Sequence, residues 1–134
     1  MSPTIPLSVA IYENPGILHW SLFIEAENDD AKTKIHVLGA RRRYFPVISP
    51  RSDARNSDSL IELLPLCQVE EGKIEIIKNI AYDTPIRNDL DDWSCQDYVL
   101  NIVDRLEEAL ILNPEDKDYI RNKEAVAAKR ESWP

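Results

Sequence analysis

Glycine is scarce in this 134-residue chain, which holds three, at positions 16, 39 and 72. Spread that far apart they cannot build a glycine-rich loop whose backbone N–H groups cradle a phosphate. Cysteine and histidine are as rare, with Cys67, Cys95, His19 and His36 the full complement. Two distant thiols do not make a disulfide scaffold, and the four side chains together lack the ligand spacing of a zinc site, so no metal or other cofactor is expected. No stretch reaches the roughly 20 apolar residues of a membrane-spanning helix. The opening Met1–Pro6 shows neither the charged nor the apolar region of a secretory signal. Basic residues are in deficit, 16 Lys and Arg against 24 Asp and Glu, a net charge of −8. That field repels phosphate backbones and anionic lipid, so neither nucleic acid nor a membrane is an expected partner. These exclusions leave a single domain over residues 1–134, in a reducing, cytoplasmic setting, acting on a small molecule.

The apolar patterning predicts strands first and helices later. Residues 6–13 read as a strand, ended by the turn signal Asn14-Pro15-Gly16. Residues 17–25 form a second strand, in which Leu18, Trp20, Leu22 and Ile24 alternate with Ile17, His19, Ser21 and Phe23. After a polar loop, Lys34–Leu38 is a third strand with Lys34, His36 and Leu38 on one face. Both histidines therefore lie on the more polar face of a strand, where a base reaching into a cleft has to be. Residues 46–58, rich in Pro, Ser, Asp and Asn, read as an irregular connection. Leu60–Val69, interrupted by Pro65, reads as an edge strand.

Residues 71–81 read as a short helix from the spacing of Ile74, Ile77, Ile80 and Ala81, ended by Thr84-Pro85. The clearest helix follows Asp91-Asp92-Trp93. Cys95, Tyr98, Val99, Ile102, Val103, Leu106 and Leu110 form its apolar stripe, and Asp92 or Ser94 can cap it. Asn113-Pro114 stops that helix and begins another, with Asn113 as its expected cap.

Cys95 thus falls in a first helical turn, where unpaired backbone N–H groups and the helix dipole favour a thiolate and can hold an oxyanion. A catalytic thiol needs a base and the base an orienting group; His19 and His36 are the residues available for those roles. Asp91, Asp92 and Asp97 oppose the thiolate if they lie close. The competing reading places Cys95, on its apolar stripe, as a small core residue. Arg41-Arg42-Arg43 offers guanidinium groups that pair with a carboxylate or phosphate, or else forms a solvated strand exit. Arg41, Arg43 and Gln96 are the candidate substrate contacts. The acidic run Asp89–Asp92 has the residue type for a hard cation but no further ligands.

His19-Trp20-Ser21-Leu22-Phe23-Ile24, then Ile35-His36, then Ser94-Cys95-Gln96-Asp97-Tyr98-Val99, resembles the lecithin–retinol acyltransferase-like proteins. Those carry His-Trp-Ala-Leu-Tyr on one strand, a second His on the next, and Asn-Cys-Glu-His-Phe opening a helix. The pattern is also similar, over most of residues 17–112, to small fungal proteins of unassigned function with a Trp-Asn-Cys-Gln-Asp-Trp signature. The resemblance implies an α+β, permuted papain-like fold with an antiparallel sheet packed against the cysteine helix. It implies Cys95 as nucleophile forming a thioester, His19 as base and His36 as third member. Ser94 replaces the asparagine and Gln96-Asp97 the Glu-His of those enzymes, and their frequent C-terminal membrane anchor is not visible, so lipid is not the expected substrate. The leading expectation is a soluble cysteine-dependent hydrolase, transferase or cyclase for a small amide, ester or thioester. Its rivals are a tailoring enzyme of fungal secondary metabolism, using the pocket for non-covalent cyclisation or proton transfer, and a non-catalytic binding protein retaining the fold.

Overall fold

The computed structural model describes residues 3–133; Met1 and Ser2, part of the leader-free reading above, and Pro134 lie outside the described residues. Five strands form one antiparallel sheet: β1 (Thr4–Tyr12), β2 (His19–Ile24), β3 (Thr33–Leu38), β4 (Phe45–Pro50) and β5 (Leu60–Glu70), in the spatial order β4-β3-β2-β1-β5. Three helices follow: α1 (Ile74–Tyr82), α2 (Cys95–Glu108) and α3 (Lys117–Ala127). The α+β class and the antiparallel sheet packed on the Cys95 helix agree with the sequence.

Period-two alternation decides the two faces of the sheet. Leu7, Val9 and Ile11 of β1 stand opposite Ile24, Leu22 and Trp20 of β2, and Leu22 stands opposite Ile35 of β3. All are buried, and they form one core with Tyr98, Val99, Ile102, Val103 and Leu106 of α2. Each such side chain contributes about 1.5–3 kcal/mol by leaving water, which fixes α2 against this face. The opposite face carries a smaller cluster of Ala10, Tyr12, Phe23 and Ala54. His19, paired with Tyr12, lies on this second face.

Two expectations are corrected. Residues 46–58 are not wholly irregular, because Phe45–Pro50 is β4, paired with β3 from Leu38↔Phe45 to Thr33↔Pro50. Its prolines are tolerated because β4 has one strand neighbour, so half of its backbone N–H groups face away from the sheet. α3 starts at Lys117 with Asp116 as its cap, whose carboxylate accepts from the Tyr119 N–H at 3.1 Å. Asn113 instead closes a turn, its side chain accepting from the Glu115 N–H at 3.0 Å. β5 is an edge strand, as its Pro65 implies, and its register with β1 shifts between Leu7 and Ser8.

Candidate functional site

β2 and β3 pair only where Leu22, Phe23 and Ile24 face Ile35, Lys34 and Thr33. Earlier residues of β2 pair with β1 alone, and later residues of β3 with β4 alone, so the two strands splay apart. The splay leaves backbone groups around Leu18–Trp20 without a partner on the β3 side, and the first turn of α2 fills the gap. Cys95 Sγ donates to the Leu18 carbonyl oxygen at 3.8 Å, and Gln96 Nε2 donates to the same oxygen at 2.9 Å. Ser94 caps α2, accepting from the Gln96 N–H at 3.1 Å, while Asp97 Oδ2 accepts from the Ser94 N–H at 2.9 Å. Such a cap is worth about 1 kcal/mol and fixes where Cys95 sits.

The two histidines are brought together. His19 Nε2 and His36 Nδ1 are 2.8 Å apart, with ring centroids at 5.1 Å and planes inclined by 53°. Burial, then the neighbouring His19 and Lys34, pushes the His36 imidazole down to about 4. Burial and Lys34 likewise lower His19. Both rings are therefore neutral near pH 7, and one donates its N–H to the lone pair of the other. Tyr12 stacks obliquely on His19 at 5.6 Å and shares a 2.8 Å hydrogen bond with Ser21, so the pair is packed as well as bonded.

Cys95 is 5% exposed. Burial pushes its thiol up to about 11, against the backbone N–H groups of Trp20, Gln96 and Cys95 itself, which favour the anion. Asp97 works the other way. The helix dipole alone does not overcome desolvation here, and the resting group is a thiol. Among the described residues neither imidazole hydrogen-bonds the sulfur. Cys95 and His19 do line one cavity, of about 420 Å³, with Arg41, Tyr44 and Trp133. A larger hollow of about 550 Å³ lies between β5 and α3 beside Cys67, with no histidine on its walls.

The turn after β3 delivers Arg41 to the cavity rim. Gly39 has φ +115°, and a Cβ there would collide with the Arg43 carbonyl oxygen, so this turn requires glycine. Arg41 Nε donates to the Asp91 carbonyl oxygen at 2.8 Å, and its guanidinium lies 5.5 Å from the Trp133 ring centre. Arg43 is not among the residues that line this cavity. Gln96 is fully buried, its Nε2 donating to Leu18 and Glu131 and its Oε1 accepting from the Glu131 N–H. These bonds tie the first turn of α2 to Leu18 and Glu131. The acidic run is paired, Asp89 with Arg87, Asp91 with Arg42 and Asp92 with Arg130. No group of three or more His, Cys, Asp or Glu side chains among the described residues converges as metal ligands. Among the described residues no helix is long and apolar enough to cross a membrane.

Sequence reasoning missed Tyr44, Trp133 and Glu131. Burial, with Cys95 and Asp97 nearby, pushes the Tyr44 hydroxyl up to about 12, so it remains a neutral donor at the cavity. None of the three belongs to a local motif; only the closure of the fold brings them to the thiol. No curated protein and no solved structure matches the chain. Residues 7–113, which run from within β1 through the other four strands and α2, match the model described as a Family of unknown function (DUF6540), and the chain belongs to that family.

Proposed function

We propose that this protein is a cysteine-dependent acyl-transfer enzyme of permuted papain-like architecture, with Cys95 as nucleophile, His19 as base and His36 as its orienting partner. Its substrate is a small amide, ester or thioester, and its setting is a reducing compartment, the cytoplasm, where Cys67 and Cys95 stay as free thiols. The observation that carries the reading is the 2.8 Å His19–His36 bond beside a cavity shared by His19 and Cys95.

Tautomer logic follows from that bond. With the His19 proton on Nε2, donated to His36 Nδ1, the Nδ1 lone pair of His19 is left to accept a proton. The thiol rotates about χ1 away from Leu18, its proton passes to His19 Nδ1, and sulfur attacks the acyl carbon. As the C–S bond forms, charge gathers on the acyl oxygen, and the Cys95 N–H, which the Ser94–Asp97 cap does not engage, is the backbone donor that would receive it. Collapse expels the leaving group, which takes the proton from His19. Water or another acceptor then gives up a proton to His19, attacks the thioester and restores the thiol. Because the resting sulfur is protonated, the proton moves with the attack rather than before it. Arg41 at the rim is the group available to contact a polar end of the substrate.

The thiol's present bond to the Leu18 carbonyl favours one rival, in which the histidine pair transfers protons without a covalent intermediate, as in the secondary-metabolite tailoring reading. A panel of activated aryl esters and thioesters separates the two. Cys95→Ala should reduce turnover to background, and His19→Ala should lower it by about 100-fold or more. Activity kept in Cys95→Ala but lost in His19→Ala selects the non-covalent reading. Activity unaffected by either substitution, or absent from the whole panel, leaves a binding protein.

A further inference from the structure

We infer that Glu131 is a positioning residue for the Leu18–His19–Cys95 corner, and that residues 130–133 form a strap holding that corner closed. The inference rests on the reading of Cys95 as the reactive thiol. α3 ends at Ala127, and two turn hydrogen bonds, Lys129 N–H to Val126 and Arg130 N–H to Ala127, send the chain back over the first turn of α2. Three successive anchors follow. Arg130 places its guanidinium on Asp97, with Nε donating to Oδ1 at 2.7 Å and Nη2 to Oδ2 at 3.2 Å, and on the Asp92 carbonyl oxygen at 2.9 Å. Glu131 Oε1 accepts from the Leu18 N–H at 2.8 Å and from Gln96 Nε2 at 3.0 Å, while the Glu131 N–H donates to Gln96 Oε1 at 2.7 Å. The Trp133 N–H donates to Asp92 Oδ1 at 2.8 Å, and its ring walls the cavity.

These bonds converge on one residue. The Leu18 N–H is held by Glu131, and the Leu18 carbonyl oxygen by Gln96 and the Cys95 thiol. The next residue is the base. The splay between β2 and β3 deprives Leu18 of a strand partner on this side, so the strap supplies what the sheet does not. Arg130 also pairs with Asp97, the carboxylate that opposes a thiolate at Cys95. The strap therefore fixes the distance of the base from the sulfur, covers the sulfur, and offsets its nearest opposing charge. Family resemblance does not cover it, since the matched span ends at residue 113.

The test is alkylation of the full chain at pH 8 with iodoacetamide and, separately, N-phenylmaleimide, read by peptide mapping so that Cys67 serves as internal reference. Glu131→Ala should raise the Cys95 rate by about tenfold, the scale for removing a charge-assisted anchor from a local segment, and Trp133→Ala, which keeps the backbone anchor but removes the ring from the cavity wall, should raise it too, with the larger gain for the bulkier reagent in both. The Cys67 rate should not change. Glu131→Gln, which keeps an acceptor oxygen for Leu18 and Gln96, should return Cys95 to the wild-type rate. A Cys95 rate within twofold of wild type in Glu131→Ala overturns the inference. So does a parallel rise at Cys67, which marks general loosening, or a Glu131→Gln that behaves like Glu131→Ala. Failure of the catalytic reading is separate: ester turnover insensitive to His19→Ala sinks that reading while the alkylation result stands, and the converse sinks the strap alone.

Discussion

Acidification from pH 7.5 to 4.5 should loosen this fold through His36, and the size of the effect follows from where the ring lies. In the unfolded chain the imidazole titrates near 6.5; in the folded one, burial with the neighbouring His19 and Lys34 pushes it down to about 4. Between those values the unfolded chain binds a proton that the folded chain does not. The stabilisation is therefore complete above pH 6.5 and is lost as the pH falls towards 4. The gap, 6.5 minus 4, corresponds to about 3 kcal/mol, or about 2 kcal/mol once the ring's partial exposure to solvent is allowed for. His19, lowered for the same reasons, acts in the same direction. Asp89, lowered by Arg87, and Asp92, lowered by the Trp133 N–H and Arg130, titrate below 3.8 and so act outside this window. Urea unfolding followed by tryptophan fluorescence should show the midpoint falling by about 1 M between pH 7.5 and 4.5, for a slope of about 2 kcal/mol per molar urea. His36→Asn, whose Oδ1 can take the Nδ1 position and accept from His19, should lose at least half of that dependence. A wild-type midpoint that does not move over this range, or a His36→Asn variant as acid-sensitive as wild type, refutes the reasoning.

Two further substitutions test the local structure that builds the site. Gly39→Ala forces φ +115° on an alanine and drives its Cβ into the Arg43 carbonyl oxygen, so it should cost about 2–3 kcal/mol by chemical denaturation and disturb the Arg41 turn. Ser94→Ala removes the α2 cap and should cost about 1 kcal/mol, whereas Ser94→Gly should recover most of it; equal losses in the two would deny the cap its role.

The sheet and the central helix were legible because their signals are local. Alternation in residues 17–25 put His19 on the face away from Trp20, and the stripe from Cys95 to Leu106 put the thiol at a helix start; both hold in the structure. β4 was not legible, because Pro46, Ser49 and Pro50 carry a loop's composition and become a strand only through pairing with β3. The α3 start was misplaced because Asn113-Pro114 and Asp116 both carry capping chemistry, and the second one wins. Of the candidate site, the meeting of His19 and His36 followed from their shared face. The splay between β2 and β3, the burial of Gln96 and the return of Glu131 and Trp133 are tertiary events with no pattern in any short window.

The central claim is that sulfur at Cys95 becomes acylated with the help of His19. Rapid mixing with an activated aryl ester, followed by acid quench and peptide mass mapping, measures this directly. The account predicts an acyl group on the Cys95 peptide that forms in a burst and all but disappears when His19 is replaced by alanine. Label confined to Cys67 or to lysines, or a Cys95 adduct that forms equally fast without the His19 imidazole, contradicts it.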